Sequence, residues 1–532
     1  MSAVRAAVHV ALADLRQRLR SPRYLVVPLL IAWVAQTLTS ETTHLVVAGE
    51  YTGIRNAAWF GGMVATMGTF LLFVFGFALV RGAVTRDRET RVGELVATSP
   101  VRDATYLVGR WLGYIALLSL VTALLVLATV GGYALHGTGT FDLWALASPF
   151  VFLTLPAMAL VAAAAVLAET VRPLRGTLGS VCYFFGAIAL FTAASLATSL
   201  TYGPTGLAVI RNSMVRAASA DPTAFESRSF AFTDDPGSVT TFVWQGVDWG
   251  LTELLSRAPT LAAAGLTLAV AIVAFDRFEP SPGLTDRLAG VLTDDDSSQD
   301  DAASASDATE AGHRYTTPPS DVDLTSVTPA SSGVPNLRVL TAELRLALRG
   351  RRWWWYLAVG SCVVGGLLAP IDAARGLVLP GAWLLGLPVW SELGVREQRY
   401  RTAELVFTAP HPHGQLAAVY LGGVAVAIVA AGGVLVTLAT SGALAALGAV
   451  LVGALFVPAL GLASGIWLGT PRAFEVVFLT LWYLGPMNAV YTLDFVGAHP
   501  ETIARGTPLG VAAAAVMLLI AAVIGRSRQI GQ

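Results

Sequence analysis

Apolar positions in this chain fall in long, nearly uninterrupted runs, not in the alternating or one-sided patterns of a water-soluble protein. Runs at 24–40, 58–80, 108–133, 145–168, 177–200 and 259–276 form one set, and runs at 354–371, 377–393, 416–440, 444–468, 473–493 and 508–525 form a second. A helix crossing hydrocarbon needs about 20 such residues, because every backbone N–H and C=O must be satisfied inside the segment. The pattern predicts an all-α integral membrane protein with about 12 transmembrane helices. The runs at 354–371 and 377–393 are short and contain Pro370, Pro380 and Pro388, so their boundaries are the least defined.

Arginine placement orients these runs, since basic residues concentrate in cytoplasmic segments. With the N-terminus inside, the inner connections hold Arg81, Arg86, Arg88, Arg91, Arg102 and Arg110, then Arg172 and Arg175, then Arg345, Arg349, Arg351 and Arg352. Arg396, Arg399 and Arg401, then Arg472, and finally Arg526 and Arg528 follow the same rule. The opposite connections at 134–144 and 441–443 carry no Arg. The expectation is a multi-pass cell-membrane protein with both termini cytoplasmic. Arg5, Arg16, Arg18, Arg20 and Arg23 precede the first apolar run with no small-residue cleavage site after it, so this region should stay as a helix and an uncleaved first span.

Two polar stretches differ in kind. Residues 279–336 read DDDSSQDDAASASDATE in their middle, too acidic and small to bury a core, and should be a disordered cytoplasmic linker. Residues 201–258 hold Phe225, Phe230, Phe232, Phe242, Trp244 and Trp249 among Gly, Pro and Asp, which suggests a partly ordered outer loop whose aromatics anchor at headgroup level.

Composition agrees: 532 residues, 55% hydrophobic, 13% charged, mean hydropathy +0.65. All 34 basic residues are arginine, so a GxxxxGK[ST] phosphate loop cannot exist here, and a net charge of -1 gives no sign of a nucleic-acid partner. Cys182 and Cys362 each sit inside an apolar run and read as small core residues, without a disulfide or metal role. The His411 and His413 pair reads as a turn, and Gly461, Gly465 and Gly469 as a close helix contact. The spans are nearly free of ionisable residues, with Glu392, Glu475 and Asp276 near predicted ends, which gives no support to an ion route.

The linker separates two similar halves. Asp14-Leu15-Arg16 and Leu19-Arg20 before the first run recur as Glu343-Leu344-Arg345 and Leu348-Arg349 before the seventh, each pattern suiting an amphipathic helix at the membrane surface. After the second run the chain reads RDRETRVGELVATSP from Arg86, and after the eighth REQRYRTAELVFTAP from Arg396. Trp111-Leu112-Gly113 then answers Tyr420-Leu421-Gly422. A single charged connector is ordinarily a solvated loop; its recurrence at the same place in both halves argues for a role.

These repeats resemble the permeases of type-2 ABC exporters, whose six-span unit opens with an amphipathic surface helix. In that family the segment between the second and third spans carries an acidic-Leu-Leu/Val…Pro motif and docks on the ATPase. The resemblance implies two tandem parallel six-helix units, at 1–278 and 337–532, and no catalytic, cofactor or metal site in this chain. It also implies coupling segments at Arg91, Glu94, Leu95, Val96, Thr98 and Pro100, and at Arg401, Glu404, Leu405, Val406, Thr408 and Pro410. Beyond Pro410 the second copy departs, with His411-Pro412-His413 where the first has Val101-Arg102-Asp103. The implied partners are the lipid bilayer, a transported substrate that the sequence does not identify, and a separate ABC ATPase, as a dimer, which would hold ATP and Mg.

A secondary transporter of the major facilitator type would also pair two six-span halves, and Gly82 with Asp87-Arg88 faintly fits its signature. The stretch from Arg81 to Arg110 is far longer than the tight loop of that fold, and surface helices before spans one and seven are not expected there. No HExxH, GxSxG or paired buried carboxylates nominate a membrane enzyme.

Overall fold

The computed structural model describes residues 3–20, 26–40, 43–47, 51–196, 205–218, 230–233, 239–278, 335–349, 351–400, 402–407 and 412–530. The expected linker lies outside the described residues except for Pro335 and Asn336, which open a helix.

Eight helices among the described residues have the length and composition to cross a membrane, against about twelve expected; the runs at 24–40, 177–200, 354–371 and 473–493 carry the helices Val26–Thr39, Thr177–Leu196, Trp353–Leu368 and Pro471–Trp482 instead. In the first half, α1 (Ala3–Leu19) and α2 (Val26–Thr39) lead into α3 (Ala57–Val80). Two short helices follow, α4 (Ala83–Glu89) and α5 (Val92–Thr98), and then the 34-residue α6 (Asp103–His136). Next come α7 (Leu143–Pro149) and α8 (Leu155–Thr170), joined by a π-helical turn, then α9 (Thr177–Leu196), α10 (Leu207–Ala218), α11 (Leu251–Leu255) and α12 (Ala258–Val273).

The second half follows the same order: α13 (Pro335–Leu348), α14 (Trp353–Leu368), α15 (Leu379–Trp390), α16 (Arg396–Arg399), α17 (Ala403–Phe407), α18 (Pro412–Ala430), α19 (Gly432–Thr440), α20 (Leu444–Leu468), α21 (Pro471–Trp482), α22 (Pro500–Ala504) and α23 (Thr507–Ile530). The proline-bearing run near 377–393 stays one continuous helix from Ile371 to Trp390. Pro380 has no N–H to give to the preceding turn, and the helix widens to a π turn over Ala374–Val378 just before it.

The packing of the halves corresponds pair by pair. In the first, α1 and α2 lie on α6, α3 contacts α6, α8 and α9, and α8 packs along α12. In the second, α13 and α14 lie on α18, α15 contacts α18, α20 and α21, and α20 packs along α23. The halves meet through α3 and α21, α9 and α15, and α9 and α21. Those are the second and fifth apolar helices of each half against the fifth and second of the other, the reciprocal pattern of a two-fold contact. Phe185 meets Trp482 edge-on at 5.5 Å and Phe184 meets Tyr483 at 6.0 Å across it.

An all-helical chain was expected, and one small sheet departs from it. β1 (His44–Val47), β2 (Tyr51–Gly53), β3 (Phe230–Thr233) and β4 (Thr240–Phe242) form one sheet in the order β3-β1-β2-β4, with β2 and β4 parallel. Phe242 and Trp244 do not anchor at a membrane interface: both are buried, Trp244 against Trp59, with its indole N–H donated to Ser213 Oγ at 3.0 Å. Trp249 is half-buried, and Phe225 lies outside the described residues. The core reading fails for Cys182, which is exposed on α9, whereas Cys362 is half-buried on α14 and packs against the core; both are free. The glycine reading holds for two of three. A Cβ on Gly461 would stand 2.6 Å from the Trp390 carbonyl and one on Gly465 2.0 Å from that of Leu393, whereas Gly469, at φ 58°, ends α20.

Candidate functional site

A buried network of ion pairs lies at the end away from the sheet, where α3 and α15 give way to short helices. Arg81 and Gly82 break α3 from α4, and Glu169 at the end of α8 receives the new N-terminus: its carboxylate accepts from Gly82 N and Val84 N, each at 2.7 Å, from Thr85 N at 3.2 Å and from the Tyr114 hydroxyl at 2.6 Å. A carboxylate satisfying the orphan N–H groups of a first helical turn is an N-cap supplied from a neighbouring helix.

One turn further along, Asp14 of α1, fully buried, accepts from Arg18 Nε at 2.7 Å, Arg86 at 3.1 Å and Arg110 at 3.2 Å. Arg110 also pairs with Asp87, which takes the Tyr106 hydroxyl at 2.5 Å. This clasp binds the surface helix, the short α4 and the long α6 at one point. Gly109 and Gly113 of α6 allow the approach, with the Ala7 and Ala11 carbonyls of α1 2.8 and 3.3 Å from where a Cβ would sit.

The second half repeats the clasp with different residues. Glu343 of α13 accepts from Arg396 at 3.3 Å and Gln415 at 3.2 Å, and Glu397 accepts from Gln415 at 3.1 Å and Arg526 at 3.0 Å. Asp14 and Glu343, Arg86 and Arg396, and Asp87 and Glu397 hold equivalent places. Tyr106 and Gln415 each stand five residues before the matched Trp111 and Tyr420. Val419 replaces Arg110, and Arg526 of α23 brings the missing guanidinium from another helix. Burial raises the Glu397 carboxyl, but Arg526, a backbone hydrogen bond and Gln415 outweigh it and hold that group below the usual carboxylate range.

Each clasp supports one of the expected segments. Arg91 caps α5 at φ 60°, a left-handed conformation that turns the chain sharply between α4 and α5. Arg91 and Glu94 face each other at 3.9 Å and are both exposed, so their pairing contributes little to stability. Leu95 is 71% exposed, while Val96 packs back on the core. Thr98 bonds the Glu94 and Leu95 carbonyls at 3.2 Å, and Pro100 is exposed beyond it. In the second copy Glu404 is exposed and Val406 half-buried on α17. Leu405 belongs to that helix, its side chain outside the description, and Arg401, Thr408 and Pro410 lie outside the described residues. His411 does too; among the described residues no group of His, Cys, Asp or Glu could hold a metal.

Residues 18–218 match the family described as ABC-2 family transporter protein. This stretch contains the Glu169 cap, all of the first clasp except Asp14, and the first exposed segment. No curated protein and no solved structure matches the chain.

Within the matched stretch the sequence reading located the exposed segment and missed the residues that hold it. Asp87 and Arg110 read as inner-face charges, and Glu169 was hidden at the end of an alanine-rich run. The available signal was the repeat itself: Asp14 with Glu343, and Asp87 with Glu397, are carboxylates kept at equivalent places beside conserved-in-copy arginines.

Proposed function

We propose that this chain is the permease of an ATP-binding-cassette exporter, built from two tandem six-span units, with a separate ATPase, as a dimer, docking on the two short segments. Residues 1–278 and 337–532 would form the units, 279–336 the cytoplasmic link between them, and 201–258 the outer loop. Both termini and both clasps would then face the cytoplasm of a cell-membrane protein.

The observation that carries this reading is that an exposed Leu95 beside an exposed Glu94 sits on a short helix braced from below by buried ion pairs, with a second clasp and short helix at the same end. An apolar side chain held out on a rigid helix suits a groove on a partner, and flanking charge fixes its orientation. The reciprocal contact of α3, α9, α15 and α21 supports a substrate pathway between the units, opened and closed as they move. ATP and Mg belong to the ATPase, because a chain without lysine has no phosphate loop of its own. The purified chain alone should hydrolyse no ATP, and hydrolysis should appear when the ATPase subunit is added; steady hydrolysis by the isolated chain contradicts the proposal.

A further inference from the structure

Three consecutive residues at the end of α12 connect the first short segment to the contact between the halves. Asp276 accepts from Arg172 at 3.3 Å and Arg175 at 3.1 Å, both in the turn between α8 and α9. Arg277 donates to the Ser99 and Val101 carbonyls at 3.0 and 3.1 Å and pairs with Asp103 at 3.3 Å, which fixes the exit from α5. The Phe278 ring lies under Gly93, where a Cβ would come within 2.5 Å of it, and Arg88 stacks on it at 5.4 Å. Arg277 and Phe278 have φ of 33° and 61°, in a region that side-chain-bearing residues adopt at a cost. The surroundings hold them there: Phe278 packs edge-on against Phe275 at 5.2 Å and Tyr106 at 5.8 Å.

The turn that Asp276 grips leads on to the half-to-half contact. Arg175 also donates to the Thr170 carbonyl at 2.6 Å, and Arg81 donates to the carbonyls of Leu174 and Gly176 and to Ser180. The Arg81 carbonyl in turn accepts from Arg472, at the start of α21 in the other half, at 2.8 Å. From Arg277 and Asp276 onward the links are hydrogen bonds and ion pairs, which join the exit of α5 to the turn before α9 and to α21.

The geometry points to Asp276, Arg277 and Phe278 as a positioning clamp that couples the first docking segment to the contact between the two halves. This rests on the permease reading and adds the route by which nucleotide on a docked ATPase reaches the pathway. A ligand shifts an equilibrium only through an element that both sites bias, and the clamp joins the first segment to the turn that Arg81 ties to the other half.

The test uses the full chain with its ATPase, Cys182 and Cys362 replaced by Ser, and spin labels at Leu190 on α9 and Val477 on α21, both exposed. In wild type the distance distribution should shift on adding ATP and vanadate. Asp276→Ala and Arg277→Gln should retain the ATPase at unchanged stoichiometry while the nucleotide-dependent population ratio falls by roughly three- to thirtyfold. Asp276→Glu, which keeps the charge, should restore it. An equal shift in wild type and both variants overturns the clamp, as does loss of ATPase binding in Arg277→Gln, which would make the residue part of the docking surface. A wild-type chain that binds no ATPase removes the permease reading itself, a separate result.

Discussion

Asp87 and Glu397 are equivalent carboxylates buried by different neighbours, and each is balanced by a guanidinium that has no water to turn to. Without Asp87, Arg110 keeps only Asp14, a carboxylate already shared with Arg18 and Arg86, so Asp87→Ala should destabilise the detergent-solubilised protein by about 3–5 kcal/mol. Thermal unfolding checks this, and a change below about 1 kcal/mol would mean that Asp14 alone compensates the Arg110 guanidinium. Glu397 adds a dependence on pH. Its folded-state pKa is depressed, so its ionised form contributes stability that is present above the ordinary carboxylate range and is lost as pH falls through the lower folded value. The gap in melting temperature between wild type and Glu397→Gln should therefore be widest near neutrality and close as pH drops below about 4. A gap independent of pH between 7 and 3, in roughly equal steps, would assign the loss to packing instead of charge.

Among elements, what the sequence made legible was whatever has a strong period or a strong composition. Every apolar run carries helix among its described residues, and the connector from Arg86 to Pro100 is helical in two short pieces, because uninterrupted hydrophobicity and proline stops are local properties. The four-stranded sheet was not legible: its strands are three or four residues long, and β1 finds β3 only after nearly two hundred residues of intervening chain. The break of α5 from α4 also escaped, since it depends on Arg91 adopting a left-handed conformation that nothing in its identity announces. The clasps lie between these cases. Their carboxylates and arginines are visible in both copies, but the pairing of Glu397 with Arg526 joins residues on α16 and α23 that only packing brings together. The outer aromatics were placed wrongly for a related reason: Trp244 looks like a headgroup anchor by composition and is a core residue by its contact with Trp59 and Gly62.

For the whole molecule, the correspondence between halves matters more than any one contact. On the proposed reading, two units of the same orientation would meet through equivalent helices, a contact that suits an alternating pathway. The two proposed docking segments are not equal, however. The first is braced by the Asp276–Phe278 clamp, and the second by Arg526, whose guanidinium lies 4.8 Å from the Phe407 ring at the end of α17. The central claim, that both segments receive one ATPase dimer, is tested most directly by co-purification of the ATPase with wild type and with Glu94→Ala/Leu95→Ala and Glu404→Ala/Leu405→Ala. Because Glu94 and Leu95 are exposed, that first pair should leave thermal stability within about 0.5 kcal/mol of wild type. The account predicts that each double variant remains folded and loses most of the bound ATPase; full retention of the ATPase by both folded variants would contradict it.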